Sequence, residues 1–517
     1  MEGQVSALSA VTLPSGTPTE PMSRTARLHR WNDPRLTSTP VIAGLPALLT
    51  LLVAGIGLGG RQLWRDEHAS WWAARLSYPD LIELLRSRDV VFAPYYGGLH
   101  LWTAVFGDSA PALRLPSLLW MASAAALIAL LGRRLYGAPT GLTAGLLFAL
   151  LPIVSRYAAE ARPYAQVIAL TTASSLLLLR ALERPSRLRW VAYALAVAAT
   201  GLSHLVALTV LVAHAVPVLR ETRRLPHREV LRRAAPWAAA TGAGLVVVAP
   251  MAYLGSRQSG QISWIDEPTW AGVLKLPANL AGSVAVAAVL LVLALIGVTA
   301  GRWPALLLGA WVLTGPLLAL ATFDQFQLFF FRYLLYTVPA WVLLAAAGTL
   351  RVARAVGGGR APARAAAVAV VLITVAVLGL PRQQMFRSDL VEDEHGFRDA
   401  GAFVAAQAAP GDGIVFDGYR HLRRAMAYEL RDADPRPVDV LLAQPAQERG
   451  SYAAAECRKP AECLGDVRRV WLVTTQGGTD PLRRVDGARG AALRDRFVVA
   501  RVAQFHRIRV VELVASR

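Results

Sequence analysis

The sequence predicts a polytopic α-helical membrane protein with a C-terminal α/β domain outside the cell. Hydrophobic residues make up 55% of the 517-residue chain, and charged residues make up only 17%. The apolar residues also gather in runs long enough to cross a bilayer. Arginines between these runs carry almost all of the formal net charge of +19. This pattern indicates cytoplasmic loops, and we expect no nucleic-acid partner.

The apolar runs set the expected number of membrane spans. A transmembrane helix needs about 17 to 25 apolar residues. We therefore expect about eleven transmembrane helices, near residues 41–60, 111–131, 139–155, 163–179, 190–203, 205–219, 234–254, 276–300, 303–322, 333–350 and 364–381.

Arginine clusters mark every second loop and so predict the orientation of the helices. They occur in the N-terminal tail, at 133–134, 180–189, 220–233 and 302, and at 351–364. Short cytoplasmic loops collect positive charge, so these loops and the N-terminus are expected inside. The opposite, extracytoplasmic face then holds 61–110, 156–162, 255–275, 323–332 and everything after Pro381.

Three domains follow from this topology. Residues 1–40 are polar, rich in Pro, Ser and Thr, and lack the apolar core of a cleavable signal, so a disordered cytoplasmic tail and a retained signal anchor are expected. Residues 41–381 form the transmembrane domain, with 61–110 as its catalytic extracytoplasmic loop. Residues 382–517 alternate helix and strand patterns and predict an extracytoplasmic α/β domain. Its Cys457 and Cys463 are either two free thiols or one disulfide.

The loop 61–110 is expected to be ordered. Its segment "SWWAARLSYPDLIELLRSR" has apolar residues at helical spacing and predicts a short amphipathic helix in the membrane interface. An interfacial aromatic belt explains its Trp and Tyr residues, except Tyr95 and Tyr96, which we count as candidate substrate contacts.

An acidic doublet, Asp66 and Glu67, stands directly after the first span in "RQLWRDEHASWW". Anchoring a helix does not require two adjacent acids, so a functional role is favoured for this pair. Charges at membrane depth are costly and are therefore functional candidates. On the same face lie His100, Arg114, Arg156, Glu160, Arg162, His204, Asp266, Asp324 and Arg332.

Several of these residues also have structural explanations. Arg114 and Arg332 can extend to the lipid headgroups, and Arg156 with Glu160 can form an i,i+4 pair at a helix end. A structural role is favoured for Arg114, His204, Asp266 and Asp324.

An outer-face carboxylate, arginines at membrane level and the lack of a nucleotide-binding motif suit transfer from a lipid-carried donor. A carboxylate can act as general base for attack of an acceptor hydroxyl on the anomeric carbon. Arginine or a divalent metal can offset the charge that develops on the departing phosphate.

The ordered motifs resemble those of a known superfamily. The Asp-Glu doublet, "APYYGGLHLW", "FGDSAPALRLPS", "RYAAEARPYA" and "FRYLLYTVPA" look like the GT-C integral-membrane glycosyltransferases. The similarity is greatest to the family 39-like branch, which includes protein O-mannosyltransferases and lipid A aminoarabinose transferases. It covers roughly residues 41–381.

The resemblance implies that Asp66 is catalytic and that Glu67 supports it or the acceptor. Candidate donor-phosphate and substrate contacts are Tyr95, Tyr96, Arg156, Glu160, Arg162 and Arg332. Some family members carry an acid and a lysine just before the proline that matches Pro94, whereas this chain has Phe92 and Ala93. His100, Glu160 and Arg332 are candidate substitutes, with His100 and Glu160 as ligands of a divalent Mg, Mn or Zn ion.

The expected function is therefore transfer of a hexosyl or pentosyl group, with inversion, from a polyprenyl-phosphate donor. The acceptor is a glycan, lipid or protein at the outer face of the plasma membrane, and membrane lipids surround the enzyme. The alternative is a transporter or flippase for lipid-linked sugars. The sequence has no clear internal repeat, and its charges gather on one face instead of at the midplane, which weighs against a transporter. A catalytically silent scaffold is a third class.

Overall fold

The computed structural model describes residues 38–388, 395–476 and 480–516. The predicted tail therefore lies outside the described residues as far as residue 37. The first part of the structure is a helical membrane domain, and the second is a small domain built on a mixed β-sheet.

The membrane domain consists of helices joined by short turns. Their bounds are α1 Thr39–Gly55, α2 Arg65–Arg75, α3 Tyr78–Ser87, α4 Ala93–Phe106, α5 Ala110–Tyr136, α6 Ala138–Leu150, α7 Pro152–Ala158, α8 Tyr164–Glu183, α9 Arg187–Ser203, α10 Val210–Thr222, α11 His227–Arg257, α12 Trp270–Ala281, α13 Val284–Val298, α14 Arg302–Ala321, α15 Val338–Gly357 and α16 Ala361–Phe386. Short 3₁₀ turns lie at Val90–Phe92, Leu205–Thr209, Ser259–Ile262 and Phe331–Thr337.

The length and composition of these helices define a multi-pass membrane protein. Within the described residues, seven helices are long and apolar enough to span a bilayer, or up to nine if each of two bent pairs forms one span. The shorter apolar helix α1 coincides with the first predicted span. The expected count of eleven is therefore not confirmed.

Two breaks in the helices explain part of this difference. The chain bends by 65° between α6 and α7, where Pro152 starts a new helix, and by 91° between α12 and α13. Gly282 occupies the second break with a φ of +78°. A Cβ there would also lie 2.7 Å from the backbone nitrogen of Ile153, so only glycine fits without strain.

The predicted interfacial helix is two helices in the structure. The chain breaks between α2 and α3 at Ser77, whose hydroxyl accepts a hydrogen bond from the backbone of Asp80 and caps α3. Trp64 and Trp71 are only 5% exposed, so these two rings are packed inside the protein and do not form part of an interfacial belt.

The C-terminal domain has the α/β composition that the sequence predicts. Its elements are α17 Phe397–Ala405, β1 Gly413–Asp417, α18 Leu422–Glu429, β2 Val438–Asp439, β3 Leu442–Gln444, β4 Ala455–Glu456, α19 Pro460–Cys463, β5 Arg469–Thr474, α20 Gly487–Arg496, β6 Phe497–Phe505 and β7 Ile508–Ala515.

The larger sheet of this domain has the strand order β2-β1-β5-β7-β6. Strand β1 runs parallel to both β2 and β5, and β6 and β7 form an antiparallel hairpin. Arg507 adopts a left-handed conformation in the hairpin turn. Cys457 and Cys463 are joined in a disulfide, which confirms one of the two predicted alternatives.

The C-terminal domain packs on helix α2. The His68 ring lies edge-on to Phe397 and to Tyr428, with ring centroids 5.6 and 5.7 Å apart. The Trp71 ring lies 5.1 Å from Tyr428 in the same manner. The helix that carries Asp66 is therefore held between the membrane domain and the sheet domain.

Candidate active site

A cavity of about 790 Å³ lies where the membrane helices meet the C-terminal domain. Each of the four loops predicted to share the extracytoplasmic face contributes to it, through Asp66, Arg162, Gln258 and Arg332 respectively. Its walls continue as apolar surface, formed in helices and in a 3₁₀ turn by Leu205, Val206, Ala252, Leu318 and Ala319. Phe326 and Leu328, in the segment after α14, extend this surface. The cavity therefore has a charged end and an apolar flank.

Asp66 lies at the charged end of this cavity. It belongs to the first turn of α2, where the positive end of the helix dipole favours a carboxylate. Its side chain is 24% exposed, and one oxygen accepts a hydrogen bond from Arg332 at 3.3 Å. Asp66 is therefore held by Arg332 at the cavity surface and is open to a ligand there.

Arg332 precedes helix α15 in a 3₁₀ turn, and its side chain is only 8% exposed. Its guanidinium lies 4.8 Å from the centroid of the Trp64 ring and 4.7 Å from that of Phe330. Stacking between two aromatic rings fixes the orientation of the cation. The structure therefore does not support extension of Arg332 to the headgroups.

A second predicted arginine, Arg162, also lines the cavity. Its guanidinium stacks 4.1 Å above the Phe92 ring. One nitrogen lies 3.5 Å from the hydroxyl oxygens of both Ser70 and Tyr96. The Arg162 and Arg332 cations thus lie on the lining of the cavity that contains Asp66.

Glu67 points away from this cavity and into the protein. It is fully buried, and its two oxygens accept hydrogen bonds from Arg114 at 2.7 Å each and from the backbone of Ala161 at 3.0 Å. Burial raises the pKa of the Glu67 carboxyl, but Arg114, Arg61 and these hydrogen bonds outweigh burial and hold the pKa below its usual range. Glu67 is therefore placed to orient α2 and not to contact a ligand.

Arg114 has a structural role, as the sequence favours, but it contacts groups of the protein instead of lipid headgroups. It is 0% exposed and does not reach the headgroups. Besides Glu67, it donates hydrogen bonds to the carbonyls of Leu58, Arg61 and Gln62. It thereby ties the end of the first span to α2.

The two predicted tyrosines lie behind the cavity wall. Tyr96 is fully buried and donates a hydrogen bond to Asp89 at 2.9 Å. Burial raises the pKa of the Tyr96 phenol, which keeps it protonated as a donor. Neither Tyr95 nor Tyr96 contributes to the cavity surface. Both are therefore placed to support the wall of the site.

Three further predicted site residues, Arg156, Glu160 and His100, do not line the cavity that contains Asp66. Arg156 and Glu160 are both buried, and neither lines the cavity. His100 lies on α4, where its Nδ1 is 2.8 Å from the carbonyl oxygen of Ala74. In the described ranges, no group of three or more His, Cys, Asp or Glu side chains is arranged to hold a metal ion. A metal site at His100 and Glu160 therefore stays a prediction from the sequence.

Three residues of the site are not among the candidates that the sequence provides. Asp89 lines the cavity with a left-handed backbone, φ +58°, and accepts a hydrogen bond from the Tyr452 hydroxyl at 2.7 Å. Tyr452 and Arg424 belong to the C-terminal domain and also line the cavity. The positive φ of Asp89 is signalled only weakly, because Asp is one of the few residues besides glycine that visit the left-handed region. The other two residues have no local signal.

Comparison with known proteins agrees with this architecture. The family model for dolichyl-phosphate-mannose-protein mannosyltransferases matches residues 98–254. No curated protein sequence matches the chain significantly. The chain is similar in structure to ArnT from Cupriavidus metallidurans bound to undecaprenyl phosphate, with a TM-score of 0.57, 17% identity and coverage of 93% of this chain and 99% of ArnT. For the apo state of ArnT the values are 0.54, 16%, 90% and 97%.

These matches identify the fold of the protein. The molecule is a multi-pass membrane protein with the fold of ArnT, and its match to the mannosyltransferase family model agrees with the resemblance of its sequence motifs to the GT-C superfamily. The similarity to ArnT extends beyond the membrane helices, because it covers almost the whole length of both chains.

Proposed function

We propose that the protein is an inverting glycosyltransferase that moves a hexosyl or pentosyl group from a polyprenyl-phosphate donor to an acceptor at the outer face of the plasma membrane. One observation carries the proposal: Asp66, Arg162 and Arg332 line a cavity whose flank is the apolar surface of membrane helices. A lipid phosphate needs cationic contacts for its headgroup and apolar surface for its chain, and this cavity offers both.

Asp66 is the group that we assign to proton transfer. In the proposed reaction, its carboxylate takes the proton of an acceptor hydroxyl while that oxygen attacks the anomeric carbon. The bond from the anomeric carbon to the donor phosphate breaks, and the polyprenyl phosphate leaves with the electron pair. Attack opposite the leaving group inverts the anomeric centre.

Arg332 and Arg162 are assigned to the donor phosphate. Arg332 forms an ion pair with Asp66, and this pair holds the carboxylate at the cavity surface. A bound phosphate would give Arg332 a second anionic partner, and charge-assisted hydrogen bonds from arginine to phosphate are among the stronger ones. Both arginines then stabilise the negative charge that grows on the departing phosphate.

The similarity to ArnT supports the choice of donor. The ArnT structure contains undecaprenyl phosphate, and this chain shares its fold at low sequence identity. Glu67, buried beside Arg114, acts in this proposal as a positioning residue that fixes α2. No step is assigned to a metal, because the described residues contain no group of three or more His, Cys, Asp or Glu side chains arranged to hold one.

The direct test is incubation of purified protein with polyprenyl-phosphate sugars and envelope acceptors, followed by mass spectrometry of the products. Transfer of a single sugar, with an equal amount of free polyprenyl phosphate, is expected. Movement of the intact lipid-linked sugar across a vesicle membrane without cleavage would instead support the transporter alternative.

Replacement of the proposed base gives the first prediction. Asp66→Asn keeps the size of the side chain but removes proton acceptance, so turnover should fall by about 10² to 10⁴. Binding of the donor lipid and the melting temperature should change little. Asp266 is predicted to lie on the same face, is exposed and does not line the cavity, so Asp266→Asn is the matched control. Near-normal turnover of Asp66→Asn would end the assignment of Asp66 as base.

A further inference from the structure

A second large cavity lies in the C-terminal domain, next to the first. It encloses about 840 Å³ and opens at the carboxyl ends of the parallel strands β1 and β2, beside Asp417 and Asp439. In open α/β sheets, ligands bind in the crevice outside the carboxyl ends of parallel strands. The topology therefore places this groove where a ligand site is expected.

The lining of the groove has an excess of positive charge. Seven arginines and three carboxylates contribute to it. Arg423 pairs with Asp439 and Glu456, and Arg489 pairs with Asp417 and Glu456, so two arginines engage all three carboxylates.

The other five arginines of the groove have no carboxylate partner within the part of the chain that the structure describes. Among them, Arg420 and Arg436 are exposed. The groove therefore keeps unneutralised guanidinium groups that can bind oxyanions.

Aromatic side chains complete the groove. Trp72 from helix α2, Tyr419 and Tyr452 contribute to its lining, and the Trp72 and Tyr452 rings lie 5.4 Å apart. Aromatic faces provide apolar contact area while leaving polar edges available, which suits the mixed surface of a sugar ring. Guanidinium groups bind phosphate and carboxylate oxygens in a bidentate manner.

Two residues connect this groove to the proposed active site. Arg424 and Tyr452 line both cavities. The Arg424 guanidinium stacks 4.7 Å from the centroid of the Tyr452 ring, and its Nε is buried without a hydrogen-bond partner among the described residues. A buried donor without a partner is costly unless a ligand satisfies it. At the boundary between the two cavities, Arg424 can therefore bind an anionic group of a ligand.

We infer that the groove of the C-terminal domain binds the acceptor, and that this acceptor is an anionic saccharide carrying phosphate or carboxylate groups. This inference rests on the proposed glycosyl transfer and names its acceptor class. A saccharide held along the groove presents one end past Arg424 to the cavity that contains Asp66. The anionic groups fix the position of the chain, and the hydroxyl at its end accepts the sugar.

The test measures binding and needs no donor, so it is independent of catalysis. Full-length protein in detergent is titrated with maltohexaose, phosphorylated maltohexaose and hexameric oligogalacturonate, and binding is followed by calorimetry. The two anionic probes should bind at least tenfold more tightly than neutral maltohexaose, and the difference should shrink at high salt. The two anionic arms distinguish a preference for phosphate from one for carboxylate.

Charge reversal locates the binding site. Arg420→Glu with Arg436→Glu should weaken binding of the anionic probes at least tenfold. The matched control is Arg468→Glu with Arg484→Glu, which changes two exposed arginines of the same domain that line neither cavity. Equal melting temperatures of the two double variants exclude unfolding as the cause.

The outcomes separate this inference from the proposed function. Equal affinity for neutral and anionic probes, or equal loss in groove and control variants, overturns the acceptor assignment. If the anionic probes bind in the groove but no sugar transfer is detected with any substrate, the binding result still supports the groove as a saccharide site. The proposed transfer reaction is then contradicted. Asp66→Asn should keep the affinity for the anionic probes, because its side chain lies outside the groove.

Discussion

At the scale of single residues, the ion pair between Glu67 and Arg114 combines two charges that are both 0% exposed. Each charge loses its hydration on burial, and the pair is tolerated because Arg114 also satisfies three carbonyl groups. Removal of one partner leaves the other charge buried without compensation.

The second prediction follows from this pair. Glu67→Gln should lower the free energy of unfolding by about 3–5 kcal/mol, since Arg114 stays charged in the interior. Thermal unfolding in detergent measures the change. Glu83→Gln is the control, because Glu83 forms an exposed pair with Arg86 and its loss should cost little. If Glu67→Gln instead keeps its melting temperature and loses turnover as completely as Asp66→Asn, Glu67 belongs to the reaction itself.

The third prediction concerns pH and a pair in the C-terminal domain. Burial raises the pKa of Asp412, but hydrogen bonds from Arg469, the Ala409 backbone and Trp471 outweigh burial and lower it. A lowered folded-state pKa stabilises the fold above the unfolded value of about 3.9, and this stability is lost as the pH falls through the folded value.

Wild type should therefore be more stable than Asp412→Asn at neutral pH, and the difference should shrink below about pH 4. Denaturant unfolding at several pH values measures it. A difference that stays constant down to strongly acidic pH would contradict the role of the ionised carboxylate.

The sequence singles out some of the residues that line the cavity and gives no signal for others. Asp66, Arg162 and Arg332 stand out because a charge beside a membrane span is rarely accidental. Adjacent side chains on a helix point about 100° apart, so the Asp66 side chain faces the cavity while the Glu67 side chain faces the protein interior. Because the two acids are adjacent in the sequence, the sequence alone does not show that they have different roles.

At the scale of elements, helices α13 and α15 approach each other closely through small residues. A Cβ at Gly348 would overlap the carbonyl oxygen of Leu293, and one at Gly297 would overlap that of Leu344. In membranes, helices associate mainly by close packing, and glycine at the contact permits the approach.

The fourth prediction uses this contact. Gly348→Ala should destabilise the membrane domain by about 1–3 kcal/mol, because backbone atoms cannot move aside as a side chain does. A Cβ at Gly309 on α14 would meet no atom of the described residues within 4 Å, so Gly309→Ala should be neutral or stabilise by up to about 1 kcal/mol. Thermal unfolding of the two variants provides the comparison, and equal melting temperatures would contradict the close approach.

The sequence predicts helices correctly where hydropathy alone determines them. It misses the points where a local break interrupts a helix. The apolar run at 276–300 predicts one span, yet Gly282 turns the chain by 91°. In the C-terminal domain, "GFRDAGAFVAAQAAPGDGIVFDG" predicts a helix, a turn and a strand, and α17 and β1 have this order. Alternation and turn residues are strong local signals, whereas a kink depends on the neighbour that the helix meets.

At the scale of the whole molecule, the loops that the sequence predicts to be extracytoplasmic converge on one cavity. The loops 61–110, 156–162, 255–275 and 323–332 all line it, although hundreds of residues separate the first from the last. Charge patterning anticipates this grouping because loops of one face must meet on that face. No comparable charge pattern in the sequence predicts that the C-terminal domain contacts the cavity.

The fifth prediction concerns orientation in the membrane. A reporter that is active only outside the cytoplasm should be active when fused after Arg382 or inserted near Ser77. The same reporter near His227 should be silent, because arginine-rich loops stay inside. Equal protein levels of the three fusions are the control, and the reverse pattern would place Asp66 in the cytoplasm.

The hydrogen bond from Tyr452 to Asp89 links residues from the two domains of the protein. Recombination that joins this membrane domain to the C-terminal domain of a relative would therefore break the wall of the cavity, even where both parts fold. Such a hybrid would regain function only if the loop at Asp89 and the segment at Tyr452 were exchanged together. The two domains should accordingly be inherited as a unit, and an acceptor preference should change through paired substitutions on both sides of this contact.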